Sequence, residues 1–310
     1  MELVFPILAL ISSLVALAVA SFFAIKYVED LMERTRLSEV AAGFVILAIM
    51  TCMPELTVAT FAVQQGHPGI SIGDILGSHV FNIGMVIGIL AIFGSLKNCG
   101  TTTLIELVDL LFLASLIPLL LIVLRIASPL VGVALIGVFF FSLYRMSKKR
   151  SPASEDVTGK VVQKNQRNIT TLVVIILAAM VVIVTSRFVV SSASEIVVIL
   201  GLSNEIIGAK IVAIGTSIPE LAFGLMAMKR GRVHLALGDA VGANLTTITL
   251  VLGLVLIFSP FVIDAALFAQ VLAFVLITNI ILWRYLTKGG VSQIGGIILV
   301  LVYVLFQAVL

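Results

Sequence analysis

A chain of 310 residues that is 61% hydrophobic and only 11% charged, with a mean hydropathy of +1.25, is excluded from the ordinary soluble domains and reads as an integral membrane protein. Its net charge of +3 points to no nucleic-acid partner, and two cysteines, Cys52 and Cys99, are too few for a disulfide framework. Apolar runs of about 20 residues, the length that crosses roughly 30 Å of hydrocarbon, predict ten helices. The first covers about 4–27 and, with no basic stretch ahead of it, is expected to be kept as a span. A charged turn at 29–39 leads into the second helix, which ends near 64–66; the third covers 70–96 and the fourth 103–124, where Pro118 predicts a kink. The fifth covers 130–144. A stretch rich in Ser, Lys and Gln then reads as a flexible linker. The sixth helix begins near 170, and the seventh to tenth cover 205–228, 235–258, 265–285 and 291–309. Three parts follow: a five-helix unit at 1–147, a linker at 148–168 and a second five-helix unit at 169–310.

Two segments of these helices nearly coincide. Thr51-Cys52-Met53-Pro54-Glu55-Leu56 lies in the second, and Thr216-Ser217-Ile218-Pro219-Glu220-Leu221 in the seventh. A carboxylate at membrane depth costs about 3 kcal/mol or more, so by default it marks an ion path. Proline removes a backbone donor and clashes with the preceding turn, so both helices are expected to break. The break is expected to release carbonyls such as those of Ala48 and Ala213 toward a cation, with each glutamate in the first turn of the second half-helix.

Glu220 follows Glu55 by 165 residues (220 − 55 = 165), and Asp239 follows Asp74 by the same interval. Gly43 and Gly208, Gly66 and Gly231, and Gly77 and Gly242 keep that offset, as do Leu37-Ser38 and Leu202-Ser203. The chain is therefore expected to be an all-α polytopic membrane protein built from two five-helix repeats. Five is odd, so the second repeat enters from the opposite side, and broken helices 2 and 7 meet at the midplane. Of the 19 Lys and Arg residues, only Arg125, Arg187 and Lys210 fall on one face. The other face is expected to be cytoplasmic and to hold the linker, with both termini outside a cell membrane.

A glycine-punctuated segment follows each glutamate, Gly73-Asp74 through Ser78 to Asn82, and Gly238-Asp239 through Ala243 to Thr247. Glycines at this spacing let helices approach closely in lipid and bring Ser78, Asn82 and Thr247 near the glutamates. Carboxylate, hydroxyl, amide and carbonyl oxygens suit hard cations such as Ca²⁺, Na⁺ or Mg²⁺, and no Cys and His cluster suggests a thiophilic metal. No cofactor and no obligate protein partner is called for; the partners are the ions and the bilayer. Asp74 and Asp239 read either as helix caps or as ion-entry groups. Glu106 and Asp109 read as cap and dipole groups, His79 either as a proton carrier or, as a lone helical histidine, as a packing residue, and the three phenylalanines at 139–141 as lipid-facing bulk.

The second motif, from Gly215 to Leu221, and the segment from Gly73 to Asn82 resemble the signatures of the calcium/cation antiporter superfamily, most closely its prokaryotic sodium/calcium exchanger branch. The resemblance covers both repeats. It implies exchange of Ca²⁺ for a monovalent cation, Na⁺ in preference, by alternating access at one midplane site. It also implies that Glu55 and Glu220 bind Ca²⁺ with backbone oxygens of Thr51 and Thr216, and that sodium sites draw on Ala48, Ala213, Thr216, Ser217 and Ser78, with Asn82 near the centre. Cys52, Ala243 and Thr247 depart from the family pattern, where Ser, Ser and Asn or Asp are usual, and Asp74 and Asp239 replace the usual Asn. A thiol and a methyl weaken one sodium position, which leaves a Ca²⁺/H⁺ antiporter of the same fold as the alternative. A passive channel does not need paired inverted motifs. An enzyme is not expected, since no zinc motif, nucleophile and base set or nucleotide loop is present.

Overall fold

The computed structural model describes residues 3–32, 38–94, 96–124, 128–149, 167–259 and 265–310. Residues 150–166 of the expected linker, and Arg34, Arg36 and Leu37 of the first charged turn, lie outside the described residues. Among the described residues ten apolar helices follow one another: α1 Val4–Met32, α2 Glu39–Gln64, α3 Pro68–Phe93, α4 Thr102–Ile122, α5 Pro129–Ser147, α6 Arg167–Leu200, α7 Asn204–Lys229, α8 Val233–Phe258, α9 Ala265–Thr287 and α10 Gln293–Val309. Among the described residues, nine are long and apolar enough to cross a membrane, and α10 is a 17-residue apolar helix. Pro118 interrupts α4 as expected, since the helix winds to Leu116 and resumes at Leu119.

The repeat is visible in local chemistry before it is visible in packing. Ser38 caps α2 by accepting from the Ala41 amide, and Ser203 caps α7 by accepting from Ile206, so each satisfies a helix donor that has no partner of its own. At the far ends, Gly66 and Gly231 adopt φ of 78° and 76°, where a side chain is disfavoured. Each lets the chain double back, with the His67 amide bonding the Ala62 carbonyl and the Arg232 amide that of Ala227.

Lipid tails are as apolar as leucine, so close packing rather than water exclusion holds these helices together. A Cβ built on Gly77 of α3 would stand 2.5 Å from the Ala209 carbonyl oxygen of α7, and one on Gly242 of α8 would stand 2.8 Å from Phe44 Cα of α2. Each glycine thus seats its helix against the motif-bearing helix of the other repeat. This makes α3 and α8 the most enclosed spans, with the core around them. Helices α1 and α6 pack along each other beside this core through Leu10, Leu14, Leu17, Val189, Val190 and Ala193. Phe5, Leu130, Val198 and Ile294 point outward, as lipid-facing residues do. Phe140 and Phe141 share that exposure, but Phe139 is buried edge-on against Phe44, so the run is not uniformly lipid-facing.

The motif-bearing helices are irregular in a way that differs from expectation. In α2 the winding is interrupted at Cys52, with φ −77° and ψ 2°, and Glu55 occupies the first turn after it. In α7 the helix runs from Ala213 to Lys229 through Pro219 with no turn residue. What the copies share is a wide π-helical stretch upstream, Gly43–Ala48 and Gly208–Val212. A second pair begins at Asn82 and Thr247, again 165 residues apart. Such stretches cluster at functional sites because they re-aim backbone groups. Proline withholds the bond to the carbonyl four residues earlier, which is that of Met50 in α2 and of Gly215 in α7, and the Met50 oxygen is taken up by a backbone amide at the Cys52 cap. The Ala48 carbonyl instead accepts from the Cys52 amide at 3.1 Å.

Candidate functional site

Glu55 and Glu220 lie inside the protein, each 1% exposed, and none of their four carboxylate oxygens has a hydrogen-bond partner. They stand within electrostatic reach of one another. A hydroxyl from the opposite repeat stands beside each, Thr216 by Glu55 and Thr51 by Glu220, without a hydrogen bond of ordinary geometry. Among the described residues no Lys or Arg is buried. Acids left unpaired at this depth need a counter-charge, which a bound cation or a proton supplies.

Around the glutamates the two repeats exchange hydrogen bonds at equivalent positions. Thr216 Oγ1 donates to Asp74 Oδ1 at 2.8 Å, and Thr51 Oγ1 donates to Asp239 Oδ1 at 3.3 Å. Both aspartates are fully buried in the interiors of α3 and α8, whose caps are His67 and Arg232, so the capping alternative is excluded. Asn82 Nδ2 donates to Asn244 Oδ1 at 3.0 Å, and Asn244 Nδ2 to the His79 carbonyl at 3.1 Å. That leaves Asn82 Oδ1 as a buried acceptor without a partner.

Cys52 Sγ points at the Ala243 carbonyl, 3.3 Å away, while at the corresponding positions Ser78 Oγ bonds the Ile75 carbonyl and Ser217 Oγ is buried without a partner. Ala48, Ala213 and Thr247 are buried in the same core, and Thr247 Oγ1 bonds the Asn244 carbonyl. Every residue expected at the site is therefore buried between α2, α3, α7 and α8. Among the described residues no group of three or more His, Cys, Asp or Glu is placed to hold a metal, and the oxygens buried here are those of carboxylates, hydroxyls, amides and backbone carbonyls.

Three other residues behave differently from expectation. His79 is not a lone packing residue: its Nε2 bonds Asn279 Oδ1 at 2.9 Å, and Asn279 Nδ2 bonds Ser115 Oγ at 2.9 Å. Because the Asn279 amide nitrogen donates to Ser115, its oxygen accepts, and Nε2 carries the proton. This buried chain ties α3 to α9 and α4, and no motif marked Asn279 or Ser115. Glu106 caps nothing, since Thr101 caps α4; it holds Arg145 and Lys149 at 2.5 Å each. Asp109 accepts from Trp283 Nε1 at 2.8 Å. Asn244 is the inner residue that sequence reading passed over, although the 165-residue offset sets it against His79.

Among the described residues, ten apolar helices arranged as two repeats, with unpaired acids buried in them, have the build of a polytopic secondary cation transporter. The sodium/calcium exchanger protein family matches residues 5–148 and 170–310, and the chain belongs to it. It is similar to an uncharacterized membrane protein of Methanocaldococcus jannaschii, 28% identical over 89% of this chain and 88% of that one. Sodium/calcium exchanger MaX1 of Methanosarcina acetivorans is 26% identical over 98% and 97% of the two chains. The solved sodium-calcium exchanger NCX_Mj, soaked with Na⁺ and Sr²⁺, superposes with a TM-score of 0.73 at 25% identity, covering 99% of each chain.

Proposed function

We propose that this antiporter exchanges Ca²⁺ for Na⁺ by alternating access at the site between its repeats, with residues 1–147 and 169–310 as the inverted halves. The observation that carries the reading is the buried, unpartnered pair Glu55 and Glu220, one from each half. Two negative charges match one divalent ion. Two bidentate carboxylates with the backbone oxygens of Thr51 and Thr216 supply about six oxygens, within the range Ca²⁺ takes. Na⁺ uses Ala48, Ala213, Thr216, Ser217 and Ser78, with Asn82 at the centre. The names of MaX1 and NCX_Mj as sodium/calcium exchangers support this choice. Both termini face outward and the linker faces the cytoplasm, which the Lys and Arg distribution supports.

One observation favours the Ca²⁺/H⁺ reading instead: the corner formed by Cys52 and Ala243 offers a thiol and a methyl where a hard cation needs side-chain oxygens. Ca²⁺ flux into proteoliposomes, driven by an imposed Na⁺ gradient and separately by a pH gradient, decides between them. Uptake driven by Na⁺ at constant pH is expected. Uptake that follows the pH gradient without Na⁺ overturns sodium coupling, and no Ca²⁺ flux under either gradient overturns the site.

A further inference from the structure

Thr51 and Thr216 each have a single hydroxyl proton and several acceptors within reach. For Thr216 these are Asp74 Oδ1 at 2.8 Å and the carbonyls of Val212 and Ala213, both at 3.3 Å. For Thr51 they are Asp239 Oδ1 and the Ala48 carbonyl, both at 3.3 Å. A hydroxyl in a helix ordinarily bonds back to the carbonyl three or four residues earlier. Here that default would spend the proton on Ala48 or Ala213, whose carbonyls are assigned to Na⁺ above. The remaining neighbours, Glu220 beside Thr51 and Glu55 beside Thr216, are also assigned to cations. Of the acceptors around the two hydroxyls, the aspartates and the Val212 carbonyl bind no ion in the proposed site. Of these the aspartates alone come from the opposite repeat, and Asp74, at 2.8 Å, is nearer to Thr216 than Val212 is, at 3.3 Å.

We propose that Asp74 and Asp239 are positioning residues that draw the Thr216 and Thr51 hydroxyl protons across the repeat interface, keeping a lone pair of the Ala213 carbonyl, and the one that the Cys52 amide leaves on the Ala48 carbonyl, open to a monovalent cation. The inference rests on the assignment of those carbonyls to Na⁺. It accounts for two acids buried in helix interiors, where a cap or a surface group has no use for one. The Asp74 pair has the shorter bond and the clear preference, whereas Thr51 lies equally near both acceptors, so the second repeat's carbonyl is the better protected.

The test is Na⁺ competition against radiolabelled Ca²⁺ on the purified full-length protein in detergent. The NaCl needed to displace half the Ca²⁺ is expected to rise about tenfold in Asp74→Ala, the loss of roughly one hydrogen bond's discrimination. Asp74→Asn keeps an acceptor oxygen at Oδ1 and is expected to stay within about threefold of wild type, since amide acceptors are weaker than carboxylates but present. Adding Thr216→Val to Asp74→Ala removes the proton that caps the carbonyl and is expected to restore competition to within about threefold. The Asp239 series repeats the pattern with a smaller shift and carries the test alone if Asp74→Ala fails to give a monodisperse protein.

Equal loss in the Asn and Ala variants, or no rescue by valine, overturns the proposal and makes the aspartates mere charges. Wild-type protein that binds Ca²⁺ without yielding it to Na⁺ overturns it too, with the Ca²⁺ site intact. Wild-type protein that binds no Ca²⁺ overturns the functional reading itself.

Discussion

Two corners of the site occupy equivalent places in the two repeats and differ in chemistry. Cys52 and Ala243 form one; Ser217 and Ser78, each at the 165-residue offset from its counterpart, hold the equivalent places of the other. Both Cys52 and Ser217 follow a π-helical stretch and precede a proline and a glutamate, although the winding is interrupted at Cys52 and continuous through Ser217. At the second corner a buried hydroxyl, Ser217 Oγ, has no partner in the protein; at the first the polar side-chain atom is a sulfur directed at a neighbouring carbonyl. The repeat thus preserves the frame and both glutamates while the chemistry of its two corners diverges. A duplicated fold does not oblige its two halves to bind the same ion.

The largest expected effect treats the halves as equal. Glu55→Gln and Glu220→Gln each remove one of the two charges facing the cation, and each is expected to bring Ca²⁺ exchange in proteoliposomes to background. Both variants should still purify as folded protein, because neutralising a buried acid removes a desolvation cost. Near-normal exchange by either one would end the claim that they share a site.

The next comparison separates the corners. Ser217→Ala is expected to weaken Na⁺ about tenfold by deleting a hydroxyl ligand, whereas Cys52→Ala is expected to shift it less than about twofold, since a thiol contributes little to a hard cation. Sodium-dependent Ca²⁺ uptake measures both, and equal losses would show the corners to be functionally alike. In the reverse direction, Cys52→Ser combined with Ala243→Ser is expected to tighten Na⁺ about threefold and raise the Hill coefficient, with Ca²⁺ affinity in Na⁺-free buffer unchanged. If wild type and double variant respond identically to Na⁺, the missing side-chain oxygens are supplied elsewhere.

The smallest effect returns to what the repeats share. Gly66→Ala and Gly231→Ala each force a side chain into left-handed backbone and are expected to cost about 1 kcal/mol apiece. Thermal unfolding in detergent should fall by a similar few degrees in both. A large difference between them would mean that the two turns are not equivalent after all.

The spans, the repeat and the paired glutamates were legible from residue order alone. Length and composition decide what can cross hydrocarbon, and a carboxylate after proline in such a run has few uses besides an ion. These are local properties, and duplication at constant spacing doubles each one. The partners of Asp74 and Asp239, the Asn82 to Asn244 bond and the link from His79 through Asn279 to Ser115 were decided by tertiary structure. Each joins residues from 142 to 200 positions apart along the chain. Which acceptor a hydroxyl meets at that separation depends on how closely glycine-lined helices approach. The π-helical winding is likewise a choice between backbone bonds that the same residues satisfy either way, and packing against the other repeat settles it.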